Sequence, residues 1–210
     1  RCSGNKGVIT SVNESSRSMY GHGFATLALA HAYGMESDPL RQKRIKQVLD
    51  RAVMLIAKSQ SKDGGWYYTP ESSHDEGSVT VTQIQALRAC RDAGINVPPS
   101  TIKRADNYIF KCANKDGGIS YALRSKGRSL PAITAAATAT MYNTGKFEHK
   151  VAIGALNYTK NLLKKSGHDP FKAFRGHTFY SILYFSQAMW FSGDKDWKLY
   201  FPKLRDRLVR

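Results

Sequence analysis

A chain of 210 residues, 41% hydrophobic and 23% charged, can bury roughly 70% of the surface its unfolded form exposes. That composition excludes a disordered, collagen-like or disulfide-scaffold protein. Lys and Arg number 32 against 16 Asp and Glu, a formal net charge of +16, which taken alone points to nucleic acid or an anionic surface.

Three cysteines, Cys2, Cys90 and Cys112, form neither an even framework nor a C-x-x-C pair. No apolar run reaches the ~18 residues of a membrane span. The opening residues, Arg1 to Gly7, lack both Met and the grammar of a signal peptide, so the chain reads as processed or truncated at its start.

A glycine turn recurs along the chain. Gly4-Asn5-Lys6-Gly7-Val8-Ile9 comes first, then Ser61-Lys62-Asp63-Gly64-Gly65-Trp66-Tyr67, then Asn114-Lys115-Asp116-Gly117-Gly118-Ile119-Ser120, then Ser166-Gly167-His168-Asp169-Pro170-Phe171. Successive spacings of 58, 53 and 53 residues suit a helical hairpin as the repeating unit.

After the first turn, Tyr20–Met35 contains no Asp, Glu, Lys or Arg and predicts a helix buried on every side. Pro39–Gln60 is charged but sets Ile45, Val48, Leu49, Ala52, Val53 and Ile56 on one stripe. The second turn leads to Ser78–Gly94, free of charge until Arg88, and then to Pro98–Asn114. Leu130–Gly145 is again uncharged, and in Phe147–Ser166 the residues Ala152, Ala155, Leu156, Leu162 and Leu163 keep the helical rhythm. His177–Gly193 and Asp194–Arg210 complete the series. Gly34, Gly94, Gly145 and Gly193 are placed to close the four apolar helices with left-handed C-caps.

The pattern predicts an all-α fold of four hairpins, each an inner apolar helix and an outer amphipathic one, with no strand. The outer helices, with Lys146 just ahead of the third, hold 20 of the 32 basic residues. They form a solvated outer ring rather than a nucleic-acid stripe, since no DNA- or RNA-binding motif accompanies them.

Gln60 followed by Asp63-Gly64-Gly65-Trp66 resembles the Gln–Trp turn of the prenyltransferase and squalene (terpene) cyclase repeat. Met19-Tyr20-Gly21-His22-Gly23-Phe24-Ala25-Thr26, Gly77-Ser78-Val79-Thr80-Val81-Thr82-Gln83 and Gly176-His177-Thr178-Phe179-Tyr180 are similar to stretches in uncharacterised bacterial members. The likeness covers essentially the whole chain. It implies an α/α toroid, usually six hairpins around an apolar cavity. Residues 1–210 would then be a single toroid domain, the C-terminal portion of a longer barrel, with two edges of apolar inner helix exposed. A secreted or cell-envelope location is also implied.

In such a barrel the loops into the inner helices meet at one mouth. Arg17, Tyr20 and His22 lie before or at the start of the first inner helix, and Glu71, His74, Asp75 and Glu76 precede the second. Arg124, Lys126 and Arg128 precede the third, and Lys172, Arg175 and His177 the fourth. Helix N-termini and clustered cations favour anions, which makes Arg17, Arg124, Lys126, Arg128 and Lys172 a candidate anion-binding rim. The wall beneath would hold Phe24, Tyr33, Tyr142, Phe179, Tyr184 and Phe185. Tyr20, His22, Phe24, Arg175, His177, Tyr180 and Tyr184 are the candidate ligand-binding residues, for an isoprenoid diphosphate or a similar amphiphile.

The residues match neither of the family's two chemistries in full. Proton-initiated cyclisation in relatives uses an Asp-x-Asp-Asp motif, where this chain has only Asp75-Glu76. Zinc-dependent prenylation needs Asp, Cys and His on the metal. His177-Thr178-Phe179-Tyr180 resembles the stretch that carries the zinc His, but Ser129-Leu130-Pro131-Ala132-Ile133 stands where Asp-x-Cys would be. No cofactor is therefore expected, with zinc held by some of His22, His74, Asp75, Glu76 and His177 as an alternative. His177, Asp75 and Glu76 are the catalytic candidates. No Gly-x-Ser-x-Gly elbow or P-loop occurs, and Cys90 and Cys112 fall near helix C-terminal ends, where a thiol pKa rises.

Three functions follow as expectations. One is binding or processing of an apolar, isoprenoid-like or anionic-headed small molecule in a central cavity. The second is a non-catalytic scaffold for an acidic protein or a cell-envelope partner, and the third a zinc-dependent prenyltransferase-like enzyme. The missing N-terminal hairpins are a further expected partner. None involves a specific nucleic acid or a membrane span.

Overall fold

Proline stands at the first turn of α-helices beginning at Pro39, Pro131 and Pro170, and the carboxylates of Asp38, Glu76 and Asp169 cap helix starts. The computed structural model describes residues 2–3, 7–11, 13–70 and 73–209. Among them are nine α-helices: α1 (Ser18–Met35), α2 (Pro39–Lys58), α3 (Gly77–Asp92), α4 (Pro99–Lys111), α5 (Pro131–Asn143), α6 (Lys150–Lys165), α7 (Pro170–Ala173), α8 (Thr178–Phe191) and α9 (Asp194–Val209). The fold is all-helical, and no end of a predicted helix is displaced by more than three residues.

Some short elements were not predicted. α7 is a single turn that Asp169 caps by accepting from Phe171 N (2.9 Å), with Pro170 at the first position. In the first turn, β1 (Cys2–Ser3) pairs antiparallel with β2 (Val8–Ile9), too short a ribbon to show as alternation.

Residue contacts divide the chain into two units, Arg1–Ile109 and Phe110–Arg210. In the first, α1 lies along α3, with α2 packed on both. In the second, α5 lies along α8, α6 backs α5, α9 backs α8, and α7 touches α6 and α8. Each unit thus pairs two inner helices and supports them with outer ones.

Three turns are built alike. Gly7, Gly64 and Gly117 have φ of +75°, +103° and +87°, and each sits against an outer-helix carbonyl, that of Arg51, Arg104 and Gly154 respectively. A side chain at Gly117 would place its Cβ 2.6 Å from the Gly154 oxygen. Two residues further on, Ile9, Trp66 and Ile119 donate their backbone N–H into the following inner helix. The acceptors are His22 Nδ1 (3.1 Å), Thr80 Oγ1 (3.0 Å) and Thr134 Oγ1 (2.8 Å).

Trp66 is fully buried, and its indole donates to Ile56 O (2.7 Å), one of the terminal carbonyls that α2 leaves open. Gln60 ties the same turn to α4 by donating to Gly64 O (2.8 Å) and Thr101 O (2.9 Å).

Two expectations need correcting. Gly94, Gly145 and Gly193 do adopt positive φ at helix ends, but Gly34 lies inside α1. That helix ends at extended Glu36 (ψ 123°); two residues on, the extended backbone of Asp38 precedes Pro39 as proline sterics require.

Nor are the four inner helices buried alike. α3 and α5 are buried along nearly their whole length. α1 buries only the stripe Ser18, Met19, His22, Gly23, Thr26 and Ala30, leaving Phe24 41% and Met35 85% exposed. α8 exposes Phe179 (72%), Leu183 (53%) and Trp190 (63%).

Candidate functional site

A cluster of polar and aromatic groups lies where α1 and α3 begin. Glu76 is the N-cap of α3. Its extended backbone lets the carboxylate accept from Ser78 N (2.8 Å) and from Val79 N, two donors that the first helical turn leaves open. Ser78 Oγ also donates to it (2.6 Å), so a fully buried carboxylate is held by three donors. Since the Ser78 proton goes to Glu76, the Tyr20 hydroxyl of α1 donates to Ser78 Oγ. A hydrogen-bonded chain Tyr20–Ser78–Glu76 thus joins the two helices. Burial, and secondarily the Glu76 charge, push the Tyr20 phenol up to about 12.

Aromatic rings surround this chain. Tyr20 lies 5.8 Å from Tyr68, Tyr67 lies 4.5 Å from Tyr68, and His74 meets Tyr67 edge-on at 5.7 Å. The Arg17 guanidinium stands 5.5 Å from the centre of the Tyr68 ring, a cation–π distance. Arg17 is also the N-cap position of α1, but its side chain makes no capping bond, and Met19 N is taken by Tyr68 O (3.0 Å). Asp75 accepts from Ser61 Oγ (2.7 Å).

The structure therefore brings Arg17, Tyr20, His74 and Glu76 together, whereas the Asp75 carboxylate turns to Ser61 in the glycine turn. It adds Tyr67, Tyr68 and Ser78, which the sequence reading did not place in a site. The signal for the tyrosines was their position directly after Trp66 in the glycine turn. Glu71 lies outside the described residues.

The remaining candidates are placed differently. His22 is fully buried, accepts from Ile9 N at Nδ1 and donates from Nε2 to Ala52 O (3.3 Å). Both ring nitrogens are engaged in the fold. Burial lowers its pKa to about 4, opposed by the hydrogen bond to Ala52.

In the second unit, Arg124, Lys126 and Arg128 are exposed on the loop from the 3-10 turn Leu123–Ser125. Asn114, Ser129 and Asp116 shape that loop: Gly127 N donates to Asn114 Oδ1 (2.9 Å), Asn114 Nδ2 to Ser129 Oγ (2.9 Å) and Ser129 Oγ to Asp116 Oδ1 (2.7 Å). Lys172, Arg175 and His177 are exposed ahead of α8, where His177 is the N-cap position without a side-chain cap. Tyr180 and Tyr184 meet edge-on at 4.8 Å, Tyr184 being buried. Phe185 is a core residue packed on Phe174 and Tyr200.

The zinc donors do not fit. Among the described residues no three His, Cys, Asp or Glu side chains are grouped to hold a metal ion, and His22 has no free ring nitrogen. Cys90 is buried, and burial raises its thiol to about 12, so it is no ready thiolate ligand or nucleophile. Among the described residues no helix is long and apolar enough to cross a membrane.

Compared with known proteins, the chain matches no family model and no curated protein. What the site can do follows from its geometry. It offers a cluster of mutually tilted aromatic rings, a guanidinium beside a helix start, and a phenol hydrogen-bonded through Ser78 to a buried carboxylate.

Proposed function

We propose that this chain is a repeat protein of the prenyltransferase/terpene cyclase toroid type that binds an amphiphile with an apolar body and an anionic head, of the isoprenoid diphosphate class. The toroid reading is supported by three glycine turns built alike, each closing on its own outer helix. The ligand reading is carried by the cluster of Tyr20, Tyr67 and Tyr68 with Arg17 over Tyr68 at the start of α1. Aromatic faces accept an apolar chain. Arg17 and the positive end of α1 favour the head. The Glu76 charge beneath is offset by its three donors.

Titrating farnesyl diphosphate into the purified protein by calorimetry tests this. Arg17→Ala is expected to weaken binding about tenfold, the loss of one charge-assisted contact, and Tyr68→Ala to weaken farnesyl diphosphate more than inorganic diphosphate. An affinity unchanged in Arg17→Ala, or no heat of binding at all, rules the reading out.

The reading as a non-catalytic scaffold is favoured by a separate observation, the apolar face that α8 leaves in solvent.

A further inference from the structure

The second unit carries an exposed aromatic surface that the ligand site does not use. Phe179, Leu183 and Trp190 recur at helical spacing along α8 and are each more than half exposed. At 1.5 Å per residue the stripe is about 16 Å long. It continues onto α9, where Trp190 meets Trp197 edge-on at 5.3 Å and Trp197 stacks on Phe201 at 4.7 Å. At its other end Phe171 meets Phe179 at 5.9 Å, and the Arg207 guanidinium lies 5.2 Å from the Phe171 ring centre. Soluble proteins seldom leave so continuous an apolar strip uncovered unless something docks there.

Its surroundings are basic. Lys172 and Arg175 stand beside Phe171 and Phe179 in the chain, and Lys195 and Lys198 flank Trp197; all four are exposed. The nearby acids are largely engaged: Asp196 bonds Lys160 and Ser192, Asp194 pairs with Lys198 at 3.4 Å, and Asp206 pairs with Arg205. The imbalance extends to the whole unit. Residues 110–210 hold 18 Lys and Arg against 6 Asp and Glu, so +12 of the net +16 lies there.

We propose that this face of α8 and α9 seats the protein on the surface of an anionic lipid bilayer, with the rings at headgroup depth and the lysines and arginines on the phosphates. Tryptophan and phenylalanine rimmed by basic residues suit that boundary, where one end of each group is apolar and the other wet. Charge complementarity favours a continuous anionic surface, because each basic residue near it adds attraction that salt screens. The attachment is interfacial, since no described helix can span. It stands independently of the ligand reading above.

Flotation of the full chain with vesicles of phosphatidylcholine, alone or with one third phosphatidylglycerol, tests it. The expected result is binding to the anionic vesicles only, weakened by salt and accompanied by a blue shift of tryptophan emission. Leu183→Ser with Trp190→Ser should cut that binding at least about tenfold through lost apolar burial. Because both residues are exposed, circular dichroism and the melting midpoint of the free protein should hold. Lys195→Glu with Lys198→Glu should weaken binding most at low salt, and neither pair should alter farnesyl diphosphate affinity. Failure to float with anionic vesicles overturns the proposal, as does flotation indifferent to the apolar pair. A dimer seen in sedimentation equilibrium and abolished by that pair also overturns it, assigning the face to a second copy.

Discussion

His22 stands where two other turns of this chain use a threonine. Ile9, Trp66 and Ile119 donate to His22, Thr80 and Thr134 respectively, so one structural task is done by two chemistries. A hydroxyl does it at any pH, whereas an imidazole does it only when neutral. Burial holds folded His22 near pKa 4 against 6.5 for the free side chain. The unfolded chain therefore takes up a proton below about pH 6.5 while the folded one does not until about 4. The stabilisation is complete above 6.5, declines as pH falls from 6.5 to 4, and declines no further below that. Between pH 7 and 5 the first unit should lose about 2 kcal/mol through this group. Urea unfolding at both pH values, compared with His22→Thr, checks it: the variant should lose that much less on acidification. The histidine itself was visible in the sequence, and so was the turn. Their pairing was not, because the sequence shows residues 13 apart without showing that one ring nitrogen meets one backbone N–H.

At the scale of elements, the glycine turns were readable and their physical demand was not. The spacing placed a glycine at each turn and a left-handed glycine at four helix ends, three of which have one, and Gly117 and Gly145 both have positive φ, +87° and +74°. Only Gly117 is also pressed against a carbonyl, whereas a side chain at Gly145 would meet open space. Gly145→Ala should therefore cost about 1 kcal/mol of backbone strain, and Gly117→Ala roughly 2–4 kcal/mol, because the outer helix must also shift. Denaturant midpoints of the two variants at constant m-value separate them, and equal losses would show that the Gly154 contact is unimportant. Helix identity shows the same division. Hydropathy marked α1, α3, α5 and α8 as one kind, yet α3 and α5 are buried while α1 and α8 keep an apolar face in solvent. An uncharged sequence shows that a helix can be buried all round; whether it is so buried is a tertiary fact.

For the whole molecule, the net charge of +16 is concentrated, with +12 on residues 110–210. Like charges at that density oppose compaction and are screened over roughly 8–10 Å at physiological salt. Raising the ionic strength from about 0.01 M to 0.15 M should therefore stabilise the chain. Recovery of about 1 kcal/mol corresponds to roughly 2–4 °C in melting midpoint, measurable by scanning calorimetry; a midpoint that falls with salt would mean that specific ion pairs outweigh the repulsion. By itself the sequence determined the all-helical class, the repeat, its turns and the division into apolar and amphipathic helices, since periodicity, glycine and proline act over a few residues. It also indicated that Arg17, Tyr20 and Glu76 lie near helix starts. Only the tertiary structure decided that Tyr20 reaches Ser78, 58 residues away, that Tyr67 and Tyr68 join them, and that the aromatic face of α8 is open to solvent. Those facts depend on which helix packs beside which, and local preference carries no record of that.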